Sequence, residues 1–122
     1  MKLSILDDLF VICRLSPAEP IPTWINKNKF WTVTKTCDEL SVVCAQDGVP
    51  NSVKFESDWK IIKVEGTLDF GLAGILASIV NPLAQAKISI FAISTFDTDY
   101  VLVKKDGLEE AILALKKAGF SF

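Results

Sequence analysis

Apolar residues along this chain follow two rhythms. Most come in short β-branched or aromatic runs broken by turn residues, and in two stretches they step by three and four. Leu9–Arg14 (LFVICR) predicts a strand, as does Phe30–Thr36 (FWTVTKT). Cys37-Asp38-Glu39 turns the chain and Leu40–Ala45 returns as the next strand, which makes a hairpin. Between these strands Pro17, Pro20 and Pro22 exclude a regular helix, although Pro22 suits the start of one short turn over Thr23–Asn26. Asp47-Gly48 and Pro50 break the hairpin's second strand, and Val49–Asp58 reads equally as a loop or one helical turn. Trp59–Glu65 (WKIIKVE) is a strand closed by Gly66. Ile88–Ser94 and Asp99–Lys104 are two more, joined by a tight turn through Thr95–Thr98.

The helical spacing appears first over Gly71–Ala86. Ile75, Ile79 and Leu83 line one face, and Leu72, Leu76 and Val80 fill the adjacent stripe. Pro82 is expected to kink or restart this helix. Gly107–Ala118 is the second helix, with Leu108, Ile112 and Leu115 as its buried face. Glu109 and Glu110 at its start and Lys116 and Lys117 at its end complement the helix dipole, and Gly119 suits the position just past the cap. Phe120 opens a short last strand.

The second half therefore reads β-α-β-β-α-β, the ferredoxin-like order. The first half carries a faint copy of it. Moved forward by 59 positions (95 − 36), Thr36–Val49 falls without a gap on Thr95–Leu108. Thr36 meets Thr95, Asp38 meets Asp97, Val42 meets Val101, and Asp47-Gly48 meets Asp106-Gly107. The fold class is α+β: two ferredoxin-like sub-domains with antiparallel sheets, residues 1–58 and 59–122, the first with eroded helices.

Composition then removes whole classes of function. The chain has 122 residues, half of them hydrophobic, and a net charge of −2. No basic stripe exists to neutralise phosphates, so no nucleic-acid partner is expected. Phe70–Ala86 is uncharged, but Asp69 before it and Asn81-Pro82 within it favour a buried helix over a membrane span. Histidine is absent, which removes the commonest general base and metal ligand. Cys13, Cys37 and Cys44 form no CxxC pair and suit a reducing cytoplasm. There is no Walker A sequence and no GxSxG. No cofactor and no metal site are expected.

The run LDFGLAGILASIVNPLAQAKISIFAISTFDTDYVLVKKDGL resembles the small tandem ACT-domain proteins of prokaryotes. VICRLSPAEPIP, FWTVTKTCDELSVVC and WKIIKVEGTLDF fit the same pattern. The stretch STFDTDYVLV is also similar to the ACT repeats of eukaryotic arginine-sensing proteins, which carry a related Ser-Thr-Phe-x-x-Asp run. The resemblance implies a regulatory module without catalysis of its own, binding an amino acid or similar metabolite at an interface between modules. Since the chain departs from those sensors elsewhere, arginine specificity is not carried over.

Two segments are candidate sites. Asp69, Phe70, Gly71 and Leu72 enter the long helix, where free N–H groups can hold a carboxylate and glycine lets a ligand approach the backbone. Asp69 equally suits a simple helix cap. Ser94, Thr95, Phe96, Asp97, Thr98 and Asp99 put two carboxylates beside hydroxyls and an aromatic ring. By the resemblance, Thr95, Phe96 and Asp99 match motif positions near the sensors' ligand, and Asp99 suits an ammonium or guanidinium group. The same residues equally suit a hairpin turn bonding its own backbone. Thr36, Asp38 and Glu39 are the weaker counterparts in the first repeat. Trp24, Trp31 and Trp59 are core or interface residues. The expected protein is a homodimer with a small-molecule ligand. The rival reading is a subunit that docks a partner enzyme or transporter without one. The only enzyme chemistry on offer is carboxylate acid–base work by Asp97 and Asp99, with no nucleophile.

Overall fold

The computed structural model describes residues 1–66 and 74–122, which fall into two compact units, Asp8–Trp59 and Met1–Asp7 with Lys60–Phe122. The strand β5 (Lys54–Val64) passes from the first unit into the second. The fold is α+β, with antiparallel strands throughout the registered pairs and both helices in the second half of the chain.

In the unit Asp8–Trp59, β2 (Phe10–Leu15), β3 (Trp31–Lys35) and β4 (Leu40–Ala45) join the first part of β5 in the order β3-β4-β2-β5. Each long crossover thus skips one strand, as in a ferredoxin-like sheet, but no helix spans 16–30 or 46–53. Alternate residues Val11 and Cys13, and Leu40, Val42 and Cys44, form the core with Ile25.

The ambiguous Val49–Asp58 segment resolves at Lys54, where β5 starts. Cys13 pairs with Phe55 and Ile12 with Glu56, while Phe10 pairs with Trp59. Three steps on β5 thus oppose two on β2, a bulge of one residue. Asp58 takes a left-handed φ of 66° there. Its N–H donates to Gln46 Oε1 at 2.8 Å, and Gln46 Nε2 donates back to Asp58 Oδ1 at 3.1 Å. The segment KFESD hides as a strand because its residues are exposed or only half-buried and the bulge breaks the alternation.

The second unit holds β1 (Leu3–Ile5), the rest of β5, α1 (Ile75–Gln85), β6 (Ile90–Ser94), β7 (Asp99–Lys104), a single 3-10 turn (Lys105–Gly107) and α2 (Leu108–Lys117). The order is β1-β5-β7-β6, with Leu3 opposite Val64 and Ile5 opposite Ile62. Residues 1–7 were expected with the N-terminal half, and here they complete the other unit. β1 lies beside β5, where the last strand of a β-α-β-β-α-β unit would sit. The expected strand at Phe120 is reduced to a parallel bridge between Lys2 and Ser121, with Leu3 N–H donating to Ser121 O at 2.7 Å.

Both helices cover one face of this sheet. Ile79 and Leu83 of α1, and Ala111 and Leu115 of α2, pack with Leu3, Ile62, Val64, Val101 and Val103. α1 runs through Pro82 instead of restarting. On α2 the buried face is Ala111 and Leu115, and Ile112 is only half-buried, one position off the expected stripe. Each helix stops in a Schellman motif. After α2, Gly119 N–H donates to Lys116 O and Phe120 N–H to Leu115 O; after α1, Lys87 donates to Ala84 O and Ile88 to Leu83 O.

The internal repeat is a repeat of register. Trp31 pairs with Cys44 and Lys35 with Leu40, and 59 positions on, Ile90 pairs with Val103 and Ser94 with Asp99. Thr36 N–H bonds Glu39 O at 2.9 Å, and Thr95 N–H bonds Thr98 O at 2.9 Å.

Candidate functional site

The turn of the β6–β7 hairpin brings together the six candidate residues Ser94–Asp99. Thr95 Oγ1 donates to Thr98 O at 3.1 Å and accepts from Thr98 N–H at 3.3 Å, so Thr95 closes the turn. Ser94 and Asp99 are the last register pair before it, and the Ser94 hydroxyl donates to Asp99 Oδ1 at 2.6 Å. Phe96, at the tip, is 79% exposed. Asp97 is exposed, whereas Asp99 is half-buried.

Thr98 is the residue whose role the sequence did not assign. It is 5% exposed, and its hydroxyl donates to the carbonyl of Val64 at 2.7 Å. This pins the turn to the end of β5. Asp99 alternates in phase with Val101 and Val103, which pack against both helices, so the Ser94–Asp99 pair lies on the helix-covered side of the sheet. A signal for Thr98 existed in its phase with buried Leu102, but alternation is not binding at a turn.

Asp69, Phe70, Gly71 and Leu72 lie outside the described residues. On either side of that segment, Gly66 has φ +84° and Gly74, at the start of α1, has φ +80°. A side chain at either would be strained although open space surrounds both.

The first hairpin repeats the turn but not the chemistry. Asp38 N–H and Glu39 N–H both donate to Thr36 Oγ1, at 3.1 and 3.2 Å, and Arg14 Nη2 donates to Asp38 O at 3.0 Å. Where the second hairpin has Ser94 opposite Asp99, the first has Lys35 opposite Leu40, which is 2% exposed. Thr36, Asp38 and Glu39 are therefore turn residues. Trp24 and Trp31 pack on the first unit's core, and Trp59 is buried. Among the described residues, a surface groove of about 540 Å³ lies between the last turns of α1 and α2, lined by Pro82, Gln85, Leu113 and Lys117, and another of about 220 Å³ runs along Leu15 and Glu19–Trp24; neither includes a residue of the hairpin turn. Among the described residues no three acidic, histidine or cysteine side chains gather as metal ligands. No described helix is long and apolar enough to cross a membrane.

Residues 54–117 match the model of the ACT domain, from the start of β5 to the end of α2. The chain belongs to the ACT-domain family. A second model, for an N-terminal domain, matches residues 8–52. The human protein named cytosolic arginine sensor for mTORC1 subunit 1 is 42% identical over 60 residues, which are 48% of this chain and 18% of the sensor. The matched stretch of this ACT protein thus spans under a fifth of that relative's length. An Agobacterium tumefaciens protein of known structure is 41% identical, with a TM-score of 0.93 over 98% of this chain and 90% of that one. The ligand-free regulatory subunit of aspartate kinase from Thermus thermophilus shares the fold at 12% identity, with a TM-score of 0.65 over 96% of each chain.

Proposed function

We propose that this ACT protein is a non-enzymatic cytoplasmic sensor that binds an amino acid or similar small metabolite at the β6–β7 turn. The observation that carries the reading is the Ser94–Asp99 pair: a half-buried carboxylate held by a hydroxyl, on a turn that is anchored through Thr98 and exposes Phe96 at its tip. A carboxylate so held suits a cationic group, because the hydroxyl fixes its direction before any ligand arrives. The first hairpin has the same backbone and lacks this pair, which supports a role for the pair beyond turn formation. The name of the human relative, an arginine sensor, supports an amino acid as the ligand class. Asp69, Phe70, Gly71 and Leu72 complete the proposed site, their backbone amides receiving the ligand carboxylate. A homodimer would supply the interface between modules of two copies.

Melting of the purified chain with each of the twenty amino acids at millimolar concentration tests the reading, since a ligand of the native state raises the midpoint by mass action. One or more amino acids should raise it, Asp99→Asn should abolish the shift, and Asp97→Asn should leave it. No shift with any of them removes the proposal. Light scattering at the 13.4 kDa monomer mass would remove the homodimer.

A further inference from the structure

The helical face of the ACT unit carries a charge pattern that fits a second copy of itself. α2 buries Ala111 and Leu115 and turns Glu109, Glu110, Leu113, Lys116 and Lys117 to the surface. At about 3.6 residues per turn, Leu113 falls in the middle of that exposed face, with one Glu and one Lys on each flank. This leucine is 67% exposed. Beside it lies the groove of about 540 Å³, where Ala86, Ala114 and Ala118 leave room for a side chain. Across the groove, α1 carries no charged residue, although Ala77, Ser78, Asn81, Ala84 and Gln85 are exposed. A helix at a free surface ordinarily puts charged residues on its outer face. An uncharged centre beside a charged rim is the anatomy of a protein–protein contact.

The charges decide what fits there. The acidic pair of α2 is followed two turns later by the basic pair, about 10 Å along the axis. That exceeds the i,i+3 and i,i+4 spacings at which a helix pairs its own charges. Among the described residues no ion pair holds any of the four. The helix dipole accounts for the sign at each end, but not for an exposed leucine between them. Leu113 stands midway between Glu109 and Lys117, and midway between Glu110 and Lys116. An antiparallel copy of α2, turned about a two-fold axis at Leu113, sets Glu109 against the other copy's Lys117 and Glu110 against its Lys116. Each contact then occurs twice, as two-fold symmetry requires. The same operation brings each copy's Leu113 over the alanine-lined groove of the other.

We propose that this face, α2 with the last turn of α1, is a self-complementary docking surface for a second copy of the chain, centred on Leu113 and held in register by Glu–Lys pairs at its rim. This rests on the homodimer reading and gives that dimer its face. Helices of eleven and ten residues offer less than the roughly 800 Å² per partner of a standard interface, so the dimer should dissociate on dilution.

Light scattering and sedimentation of the full chain, from micromolar to millimolar concentration, test it. The parent should be dimeric at the upper end of this range. Leu113→Asp should weaken the dimer by about tenfold or more, since the central apolar contact is lost and a charge is placed in it. Leu113→Gln repeats the test with a neutral, helix-favouring side chain. A chain with Glu109→Lys and Glu110→Lys should stay monomeric, and so should one with Lys116→Glu and Lys117→Glu, because each meets like charges across the axis. Mixed one to one, these two chains should form a heterodimer, and Leu113→Asp in both should break it, which bulk attraction between opposite charges would not. Melting curves establish that each variant is folded, and all five positions are exposed, so the core is untouched.

A folded Leu113→Asp or Leu113→Gln chain that dimerises like the parent overturns the inference and leaves the homodimer to another face. So does failure of the two charge-reversed chains to associate when mixed. A parent that keeps the monomer mass throughout the range removes both the inference and the homodimer, while amino-acid binding stands or falls by its own melting test.

Discussion

Two single residues in the ACT unit carry more than their side-chain chemistry suggests. Lys87 follows α1 at φ 60°, a left-handed conformation that costs an L-residue about 1–2 kcal/mol. It tolerates this because its own N–H and that of Ile88 satisfy the last carbonyls of α1, while Ile88 packs with Leu83 in the core. Lys87→Gly relieves the strain and gives back part of it as greater freedom of the unfolded chain. We expect a net gain of about 0.5–1 kcal/mol, read as a higher urea midpoint at unchanged slope. Thr98 works in the opposite sense. Thr98→Val preserves shape but leaves the Val64 carbonyl without its side-chain donor. That should cost about 1–3 kcal/mol, and chemical denaturation against the parent measures it. A loss no larger than a few tenths of a kcal/mol would show that the turn does not depend on this anchor.

At the scale of elements, the least conspicuous strand has the largest reach. β1 is three residues long, yet Leu3 is fully buried among residues of β5, α1, β7 and α2. Leu3→Ala should destabilise by about 2–5 kcal/mol, as for other fully buried leucines. Hydrogen exchange should speed at Ile62 and Val64, some sixty positions away in the chain, because they pair with β1. Unchanged protection there would argue that β1 is dispensable to the ACT unit. The β2–β4 pair makes a second prediction. Cys13 and Cys44 are at most 1% exposed. The hydrogen bond that the Cys44 thiol donates to Cys13 and burial both push the Cys44 thiol up, so it carries little thiolate at neutral pH. A maleimide at pH 7 should therefore label exposed Cys37 alone in the native protein, and all three cysteines after denaturation. Native labelling at two or three sites, followed by mass spectrometry, would contradict this packing.

For the whole molecule, duplication of the hairpin does not duplicate the candidate site. The first hairpin reproduces strand bounds, register and turn bonds at a shift of 59, but puts buried Leu40 where the second has Asp99. One ligand per chain is the expected stoichiometry, not two, and titration of the full chain reads it directly. Two sites per chain would mean that the N-terminal unit binds by other chemistry.

The sequence by itself determined what is local. Alternation of apolar residues located β2, β3, β4, β6 and β7, spacing by three and four located both helices, and the offset of 59 marked the two hairpins as copies. Thr95–Asp99 stood out because turn residues, carboxylates and hydroxyls sit side by side in the chain. Only the tertiary structure decided the rest. β1 was hidden because three alternating residues gain strand character from pairing with β5, across about sixty positions. The start of β5 was hidden because its polar residues bury little, and the Gln46–Asp58 clamp holds its bulge. The partner of Thr98 was hidden because a hydroxyl has no periodicity, and its acceptor lies 34 residues away. Periodicity records which face a residue buries; it does not record which strand will lie beside it. That choice is made by hydrogen bonds and packing between distant segments, and it is what turns a hairpin motif into an oriented carboxylate.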